Sequence, residues 1–352
     1  MSKMERNDQG TYAMSFGNLY EVVDGKKRRV NNIQFPNGLQ YHFVENLGHG
    51  TFGVVYKAAH MMQVLGNANI VKDNLLICDS FIIYRKWLFQ SCELLEMSLF
   101  DLQKTDMTAV TLPVIRVIMK QIFCALCQLE LIRFIHGDIK PNNIMIVSHG
   151  SNAWHIKLID FGLSTHPTFR DGAPHHYNLQ AFGYKAPEIM LLYRDFSKID
   201  MFSIGCVMLD LLTRRQYFLP HNNCQTNLMY YIYQLIGQMP QSCQFPLQQF
   251  YLENGIVPKP TCCEKDIAGR RTQIRPVNFE QLKQWCIEEK MMPRDVDMAL
   301  NLISHIITWN PQDRFAGWEA ATHPFITMAH FQDNTDYYNH NVMLMRQAGA
   351  WL

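Results

Sequence analysis

Three short motifs follow one another in a fixed order in the middle of the chain, and they constrain its fold more than any other feature. The octapeptide 136–143 (HGDIKPNN) comes first, the tripeptide 160–162 (DFG) follows an apolar run, and 186–188 (APE) comes third. A single motif of this length also occurs by chance in unrelated sequences. All three in this order and at this spacing indicate one fold and one kind of chemistry.

The three motifs resemble the catalytic loop, the magnesium-binding loop and the end of the activation segment of eukaryotic protein kinases. The resemblance implies that Asp138 accepts the hydroxyl proton of the substrate, and that Lys140 lies beside the transferring phosphate. It also implies that Asn143 and Asp160 hold magnesium, for which a carboxylate and an amide oxygen are suitable ligands. We therefore predict Asp138, Lys140 and Asn143 as catalytic residues, Asn143 and Asp160 as metal ligands, and ATP and Mg²⁺ as cofactors.

A glycine-rich segment near the N-terminus, 48–55 (GHGTFGVV), has the form G-x-G-x-x-G-x-V. Glycines let backbone N–H groups approach phosphate oxygens closely. The segment lies between two strand-like stretches, which favours a kinase phosphate loop over the turn of a dinucleotide-binding fold. The predicted nucleotide-binding residues are Gly48, Gly50, Phe52, Gly53, Val55, Lys57 and, in the hinge-like segment 95–102, Glu96 and Met97.

Within the protein kinases, segment 134–145 (FIHGDIKPNNIM) resembles the catalytic loop of the homeodomain-interacting protein kinases, members of the CMGC group. Those kinases also carry a small residue where most kinases have arginine. Segments 95–102, 199–212 and 323–331 resemble the same family, and the dual-specificity tyrosine-regulated kinases are the nearest alternative. The resemblance covers residues 41–335 and implies serine/threonine phosphorylation. The partners it implies are protein substrates or regulatory proteins, nuclear transcription regulators among them.

The activation segment departs from the kinase pattern. Because Gly137 replaces arginine, the catalytic loop cannot clamp an activation-loop phosphate in the usual way. Related kinases use a tyrosine before the A-P-E motif. Tyr177 is the nearest candidate, but it is one residue out of register, with Asn178 in the expected place. Phe182 and Gly183 also replace residues expected to be basic and aromatic, which leaves substrate selection open.

The segment between the glycine-rich loop and the hinge is too short. Kinases place there a strand with a V-A-I-K lysine and a helix with a glutamate, and this pair fixes the α and β phosphates. No such lysine occurs, and residues 54–72 contain no Asp or Glu. By analogy with other preorganised charges, the loss costs on the order of 100- to 1,000-fold in rate.

Lys57 is a candidate substitute for the missing lysine. It lies two residues after Val55, so both side chains belong to the same face if the segment is one strand. A solvent-facing Lys57 is the alternative. For the whole chain, the interpretations are an active but weak serine/threonine kinase, a pseudokinase that keeps the fold for protein binding, or a splice form or gene-model error. By family we predict a protein serine/threonine kinase.

The predicted fold class is α+β, a bilobal protein-kinase-like fold with a truncated strand-rich N-lobe and a larger, mostly helical C-lobe. Residues 1–40 are predicted as an irregular N-terminal arm, 41–97 as the N-lobe and 98–328 as the C-lobe of a kinase domain spanning 41–328, and 329–352 as a C-terminal tail. The local patterns predict these elements: a hairpin over 41–56, strands within 75–97, a helix from Pro113, strands at 144–147 and 156–159, a buried helix over 200–212, irregular structure over 215–290, and a last helix over 295–308.

Two structural features also follow from the resemblance. Glu188 and Arg314 match a buried ion pair, and Asp200 matches the aspartate that braces the catalytic loop.

The composition sets limits on partners and compartment. The net charge of +1 gives no global field toward nucleic acid or an anionic membrane, so no direct nucleic-acid or membrane binding is predicted. The N-terminus is polar from the start and the ten cysteines are scattered, which predicts a protein that is not secreted and lies in the nucleus, the cytoplasm or both. The basic cluster 26–29 (KKRR) is interpreted as a solvated turn or a nuclear import signal.

Overall fold

The computed structural model divides the chain into two compact units, one comprising Met1–Lys72 and Leu76–Leu94 and the other comprising Asp73–Leu75 and Leu95–Leu352. The structure describes residues 11–15, 18–23, 26–29, 32–34, 40–49, 54–60, 74–76, 78–84, 87–105, 107–148, 154–165, 179–191, 195–218, 225–240, 278–331 and 335–350. All structural statements below concern these residues.

The smaller unit is built from antiparallel strands. Its strands are β1 (Thr11–Ser15), β2 (Asn18–Val23), β3 (Lys26–Arg29), β4 (Asn32–Gln34), β5 (Gln40–His49), β6 (Val54–His60), β7 (Cys78–Tyr84) and β8 (Trp87–Cys92). They form two three-stranded sheets, β1-β2-β3 and β4-β5-β6, and the pair β7-β8. Every one of these pairings joins strands that are adjacent in the sequence, so each sheet is a local structure.

The strand predictions of this unit are confirmed in part. The hairpin predicted over 41–56 is β5 and β6, and the strands predicted within 75–97 are β7 and β8. The irregular structure predicted for 1–40 is wrong for the described residues, because β1 to β4 lie there. The basic cluster forms strand β3, and the prediction of a turn is wrong.

The larger unit is mostly helical. Its helices are α1 (Leu99–Thr105), α2 (Leu112–Leu131), α3 (Pro187–Met190), α4 (Ile199–Thr213), α5 (Gln225–Ile236), α6 (Phe279–Glu288), α7 (Pro293–Ile306), α8 (Gly317–Thr322), α9 (Pro324–Thr327) and α10 (Asp336–Gln347). Its strands β9 (Met97–Ser98), β10 (Ile144–Ser148) and β11 (His155–Leu158) form a sheet in the order β11-β10-β9. The α+β class is thereby confirmed.

Helices α2 and α4 form the centre of the larger unit. Every residue of α4 is buried, as predicted for its apolar sequence. Helix α2 begins at Leu112 with Pro113 in its first turn, where the missing proline N–H breaks no helical hydrogen bond. By length and composition alone α2 would also suit a membrane span, but 78% of its most apolar window is buried inside the protein, as in the core helix of a globular protein.

Two helix predictions in the larger unit are corrected. The stretch 215–290 was predicted as irregular, but it contains α5 and α6, and its part 241–277 lies outside the described residues. Helix α6 buries only Leu282 and Cys286, and Asn278 and Gln281 form a capping box at its start. The helix predicted over 295–308 is α7, and it is not the last one, because α8, α9 and α10 follow.

Helix α10 is attached to α2 through buried polar groups. Arg116 of α2 forms a fully buried ion pair with Asp295 of α7 and donates to Asn341 of α10. Asp295 also accepts hydrogen bonds from His330 Nε2 at 2.9 Å and from Tyr337 OH at 2.7 Å. Burial raises the pKa of Asp295, but the His330 bond, the Arg116 charge and the Tyr337 bond together outweigh it and hold that pKa below its usual value.

A short segment before β7 belongs to the larger unit. The N–H of Leu158 donates to Asn74 O at 2.8 Å, and Asn74 Nδ2 donates to Gln121 Oε1 at 3.0 Å. Leu75 forms a parallel bridge with Leu158. Only residues 61–73 therefore connect the end of β6 to a point fixed on the larger unit.

Candidate active site

Asp200, near the start of α4, fixes the backbone of the catalytic loop. Its Oδ2 accepts from the N–H of His136 at 2.6 Å, and its Oδ1 accepts from the N–H of Gly137 at 2.9 Å. Burial raises the pKa of Asp200, while His136 and the two N–H donors oppose this. The predicted bracing role of Asp200 is confirmed.

His136 joins the catalytic loop to the segment that precedes the DFG motif. Its Nε2 lies 3.0 Å from Ile159 O, and its Nδ1 lies 3.3 Å from the N–H of Asp138. The tautomer with hydrogen on Nε2 satisfies both bonds. The ring also packs against Phe161, with centroids 4.8 Å apart. Movement of either loop would therefore disturb the other.

Asp138 has one carboxylate oxygen in use and one free. Oδ2 accepts from Lys140 Nζ at 2.7 Å and from Asn143 Nδ2 at 3.0 Å, and Asn143 Nδ2 also donates to Asp138 O at 2.8 Å. Oδ1 accepts no hydrogen bond from the described residues. The Asp138 side chain is 10% exposed, which leaves Oδ1 a narrow access to solvent. A fixed carboxylate with one accessible oxygen is suited to accept a proton.

The predicted metal ligands Asn143 and Asp160 lie on two segments that are hydrogen-bonded to each other. The N–H of Ile159 donates to Asn143 O at 3.0 Å, and Asp160 is the next residue. Asp160 has a left-handed backbone (φ 63°, ψ 73°), is exposed, and accepts from the N–H of Gly162 at 3.2 Å. Because Asn143 uses its amide nitrogen toward Asp138, its amide oxygen remains available as a ligand.

This donor set fits Mg²⁺ bound together with phosphates. Magnesium in such sites takes one or two carboxylates and completes its octahedron with phosphate and water oxygens. The described residues contain no group of three or more His, Cys, Asp or Glu placed to hold a metal ion by themselves. Asn143 and Asp160 would supply the smaller oxygen set that a nucleotide-bound magnesium requires.

The backbone conformation and the neighbours of Gly137 leave no room for a side chain. Its φ is +75°, and a Cβ there would lie 3.0 Å from Leu163 O and 3.1 Å from Leu179 Cδ2. Its own carbonyl accepts from the N–H of Gln180 at 2.7 Å. The glycine is therefore required by the local packing, in addition to removing the phosphate clamp.

The segment before the APE motif is held by polar residues that the sequence did not reveal. Gln180 Nε2 donates to Ile199 O at 2.9 Å and to Ser203 Oγ at 2.7 Å, and its Oε1 accepts from the N–H of Ala186 at 3.0 Å. Ser203 also donates to Tyr184 O at 2.8 Å. The signal that could have found this network is the presence of the Ser203 hydroxyl in a mostly apolar helix.

Asp210 is a further buried polar group within α4. Its Oδ2 accepts from Tyr184 OH and its Oδ1 from the N–H of Tyr217, both at 2.7 Å. Burial raises the pKa of Asp210 to about 7, against the lowering effect of these two hydrogen bonds. Tyr184 is thereby fixed within the segment that leads to Glu188.

The predicted ion pair between Glu188 and Arg314 is confirmed. The two side chains are fully buried and form two hydrogen bonds of 2.5 and 3.0 Å. Arg314 also donates to Lys198 O at 2.8 Å and to Thr308 O at 3.0 Å. The pair ties the APE motif to the start of α4 and to the loop after α7.

The predicted nucleotide-binding residues lie in both units. Glu96 and Met97 belong to the larger unit, where the Glu96 N–H donates to Ile146 O at 3.0 Å and Met97 pairs with Ile146. In the smaller unit, Gly48 lies opposite Val55, and Lys57 lies opposite Glu45. Gly50, Phe52 and Gly53 lie outside the described residues, as do Tyr177 and Asn178 of the activation segment, which are not part of the nucleotide-binding set. The nucleotide contacts of this set stay a prediction.

The comparisons with known proteins agree with this site. The family model of the protein kinase domain matches residues 60–326. The chain is 26% identical over 358 residues to the dual specificity protein kinase lkh1 of Schizosaccharomyces pombe, covering 88% of this chain and 49% of that protein. It is 27% identical over 362 residues to homeodomain-interacting protein kinase 4 of Homo sapiens, covering 85% and 57%.

A third relative matches a shorter stretch at higher identity. Homeodomain-interacting protein kinase 1 of Caenorhabditis elegans is 32% identical over 218 residues, covering 53% of this chain and 25% of that protein. The chain thus spans between a quarter and somewhat more than half of the length of these relatives. The predicted resemblance to these kinases is confirmed.

Proposed function

Because the chain belongs to the protein kinase family, we propose that it is an active serine/threonine kinase that transfers the γ-phosphate of ATP to hydroxyl groups of protein substrates. The observation that carries the proposal is the arrangement of Asp138, with Oδ2 held by Lys140 and Asn143 and Oδ1 accessible. A protein that only binds partners does not need a carboxylate with one oxygen held by hydrogen bonds and the other oxygen left open.

Each residue of the catalytic loop has a separate task in this proposal. Asp138 Oδ1 accepts the hydrogen bond of the substrate hydroxyl and orients it. It takes the proton as the hydroxyl oxygen bonds to the γ-phosphorus and the bond from that phosphorus to the departing ADP oxygen breaks. Lys140, 2.7 Å from Asp138 Oδ2, carries the positive charge that faces the phosphate oxygens. Asn143 keeps Asp138 in place through two hydrogen bonds from its amide nitrogen, and its amide oxygen would hold the metal.

Magnesium and ATP fit the residues present. Asn143 and Asp160 would hold the ion, which supplies the neutralisation of phosphate charge that phosphoryl transfer requires. Asp160 has an αL backbone, and its Oδ1 accepts from the Gly162 N–H. These two features restrict the orientation of the carboxylate and leave Oδ2 to bind the ion.

The proposed partners follow from the relatives. Two of these are named homeodomain-interacting protein kinases, so we propose nuclear regulatory proteins as substrates or binding partners. The corresponding compartments are the nucleus and the cytoplasm. Detection of the tagged full chain by cell fractionation tests the compartment directly.

A second candidate function is a pseudokinase or scaffold. The observation that favours it is the connection between β6 and Asn74, which consists only of residues 61–73. An average strand of about five residues and an average helix of about eleven together need more chain than this. The lysine–glutamate pair of kinases therefore has no place in the sequence, and weak turnover is expected.

Thermal unfolding of the full chain with and without millimolar Mg-ATP tests the nucleotide site. Ligand at about 100 times its dissociation constant adds roughly 2.7 kcal/mol, which raises the unfolding midpoint visibly. We expect a rise that requires magnesium and disappears in Asp160→Ala. Asp336→Ala, at the start of α10, is the matched control and should keep the rise. A cooperatively folded sample without any rise would favour the scaffold.

Phosphate transfer tests the enzyme itself. Incorporation of radioactive phosphate from labelled ATP into a mixture of basic protein substrates should fall by about 100- to 10,000-fold in Asp138→Asn, because the amide cannot take the proton. The Mg-ATP midpoint rise should persist in this variant. Equal incorporation by Asp138→Asn and the unmodified chain would assign the activity to a contaminant and contradict the proposal.

A further inference from the structure

Strand β11 leads directly to the predicted metal ligand Asp160 and lies at the edge of the sheet β11-β10-β9. On one side of the strand, Leu158 pairs with Ile144 of β10. On the other side, Leu158 forms a parallel bridge with Leu75, and its N–H donates to Asn74 O at 2.8 Å. Because Asp160 is only two residues beyond Leu158, the position of its carboxylate depends on how both sides of β11 are held.

The buried side chain of Gln121 in α2 connects Asn74 to this strand. Its Oε1 accepts from Asn74 Nδ2 at 3.0 Å and from the Ile156 N–H at 3.1 Å. Its Nε2 donates to Trp154 O at 2.7 Å and to Val117 O at 3.1 Å. Each end of the amide therefore makes two hydrogen bonds, and these four bonds fix its orientation.

Asn74 holds β11 at two of its residues. Its Nδ2 donates to Ile156 O at 2.9 Å in addition to Gln121 Oε1, and its backbone oxygen accepts from the Leu158 N–H. The two side-chain bonds join residues that are 82 and 47 positions apart in the sequence. They are therefore tertiary contacts, and loss of the Asn74 side chain would loosen β11 rather than a local turn.

The strand continues into the segment that carries Asp160. The Ile159 N–H donates to Asn143 O at 3.0 Å, and Ile159 O lies 3.0 Å from His136 Nε2. Asp160 is exposed, and among the described residues its carboxylate accepts one hydrogen bond, from the Gly162 N–H. The carboxylate thus takes its position mainly from the backbone of β11. Magnesium requires nearly ideal octahedral geometry at about 2.0–2.1 Å, so a small shift of this backbone would weaken the site.

We propose that Asn74 and Gln121 are positioning residues for the metal ligand Asp160. They hold β11 in the place where Asp160 and Asn143 can bind one magnesium ion together. Neither side chain touches the metal or the nucleotide, and both act only through the strand. The inference rests on the proposed kinase function, and it adds to the site two residues that lie outside all of the sequence motifs.

Titration with magnesium tests the proposal in the variant Asn74→Ala. The full chain is mixed with a fixed concentration of the fluorescent ATP analogue mant-ATP, and the fluorescence of the bound analogue is followed as Mg²⁺ is added. We expect the Mg²⁺ concentration at half-saturation to rise about tenfold or more in Asn74→Ala, as is typical when a group that orients a metal ligand is lost.

Asn278→Ala is the matched control. Asn278 is also an asparagine whose side chain is hydrogen-bonded, since its Oδ1 accepts from the Gln281 N–H at 2.9 Å at the start of α6. Loss of this cap should lower the unfolding midpoint of the full chain and leave the half-saturating Mg²⁺ concentration unchanged. If Asn74 only stabilised the fold, Asn74→Ala would behave in the same way, and that result would overturn the proposal.

Hydrogen exchange measures the strand itself. Deuterium uptake of the fragment 155–160, followed by mass spectrometry without ligand, should be faster in Asn74→Ala and unchanged in Asn278→Ala. Asn74→Asp keeps the size of the side chain, but its carboxylate cannot donate hydrogen bonds. It should show the same changes in exchange and in magnesium dependence, and it serves as the test if Asn74→Ala does not fold. Unchanged exchange of this fragment would overturn the proposal.

The outcomes separate this inference from the proposed function. If the unmodified chain binds mant-ATP with Mg²⁺ and Asn74→Ala has the same half-saturating concentration, the positioning role is wrong and the kinase function stands. If the unmodified chain binds no mant-ATP at any Mg²⁺ concentration, the proposed function is contradicted and the positioning role fails with it.

Discussion

The two compact units of this chain differ in the sequence separation of the residues that contact each other. In the smaller unit, every described strand pairing joins neighbouring strands. In the larger unit, the buried polar contacts join residues far apart, such as Arg116 with Asn341 and Glu188 with Arg314. Removal of a strand and a helix from a set of local hairpins leaves the other hairpins intact. The same loss in the larger unit would leave buried charges without partners.

This difference explains where the kinase pattern is damaged and where it is intact. The missing lysine and glutamate belong to the part made of local hairpins. Asp138, proposed as the proton acceptor, and Asn143 and Asp160, proposed as metal ligands, belong to the long-range network, which holds their loops through His136 and Asp200. The comparison predicts that substitutions in the larger unit have large effects and that those in the smaller unit have small ones.

The largest effect is expected for Arg314→Met. This change leaves Glu188 fully buried without its cation, which costs about 3–5 kcal/mol of folding free energy. Urea unfolding of the full chain, followed by circular dichroism, measures the loss. The double variant Arg314→Met/Glu188→Leu should recover much of it, because no buried charge then remains. A loss below about 1 kcal/mol in Arg314→Met would contradict the expectation that substitutions in the larger unit have large effects on stability.

A smaller effect is expected for Gly137→Ala. The left-handed backbone disfavours any side chain by about 1–2 kcal/mol, and the new Cβ would lie 3.0 Å from Leu163 O. Gly237→Ala is the matched control, since Gly237 has φ +79° but nothing within 4 Å of its Cβ position. We expect Gly137→Ala to lose at least about 1 kcal/mol more than Gly237→Ala in urea unfolding. Equal losses would mean that the catalytic loop has room for a side chain.

A further effect concerns pH and Asp210. Its pKa rises from 3.8 in the unfolded chain to about 7 in the folded protein, so the folded protein binds the extra proton between these values. The stabilisation is full below about pH 4 and is lost as pH rises through 7. Between pH 6 and 8 the unmodified chain should lose about 1 kcal/mol from this group alone.

Asp210→Asn isolates this contribution. The amide resembles the protonated acid, because its oxygen can accept from the Tyr217 N–H and its nitrogen can donate to Tyr184 OH. Urea unfolding at pH 6 and pH 8 should therefore show a smaller decline in the variant than in the unmodified chain. Identical declines in the two proteins would exclude a buried, titrating Asp210. A clear difference would show that the interior of the larger unit disfavours the ionised form of Asp210.

The sequence predicted the catalytic loop, Asp200 and the Glu188–Arg314 pair because motifs record chemistry that tolerates few residue types. It did not predict Gln180 or Asp210 as partners, because their hydrogen bonds depend on how distant segments meet. It predicted α2 and α4 from their dense apolar patterns. It missed α6, which buries only Leu282 and Cys286.

The C-terminal helix illustrates the same limit. Helix α10 is polar over most of its length, and its attachment depends on Asn341 meeting Arg116, a contact that no local pattern records. The strands β1 to β3 were missed for a different reason. They are short and separated by glycines, so the alternation that identifies a strand extends over too few residues to stand out.

The smallest effect is expected for Lys57→Met in the smaller unit. Lys57 and Val55 lie on one strand, as the substitute phosphate contact requires, but Lys57 also lies directly opposite Glu45. Opposite charges at such positions stabilise a sheet by roughly 0.2–1 kcal/mol. We expect Lys57→Met to lose about this much in urea unfolding and to leave the Mg-ATP midpoint rise unchanged.

Glu45→Gln and the double variant separate the two roles of Lys57. If Lys57 pairs with Glu45, each single substitution removes the same interaction, so the double variant should lose little more than either one. The smaller unit would then contribute only local stability through this strand. If Lys57→Met alone weakened ATP binding tenfold or more while Glu45→Gln did not, Lys57 would be the substitute phosphate contact, and the smaller unit would take part in catalysis despite its missing segment.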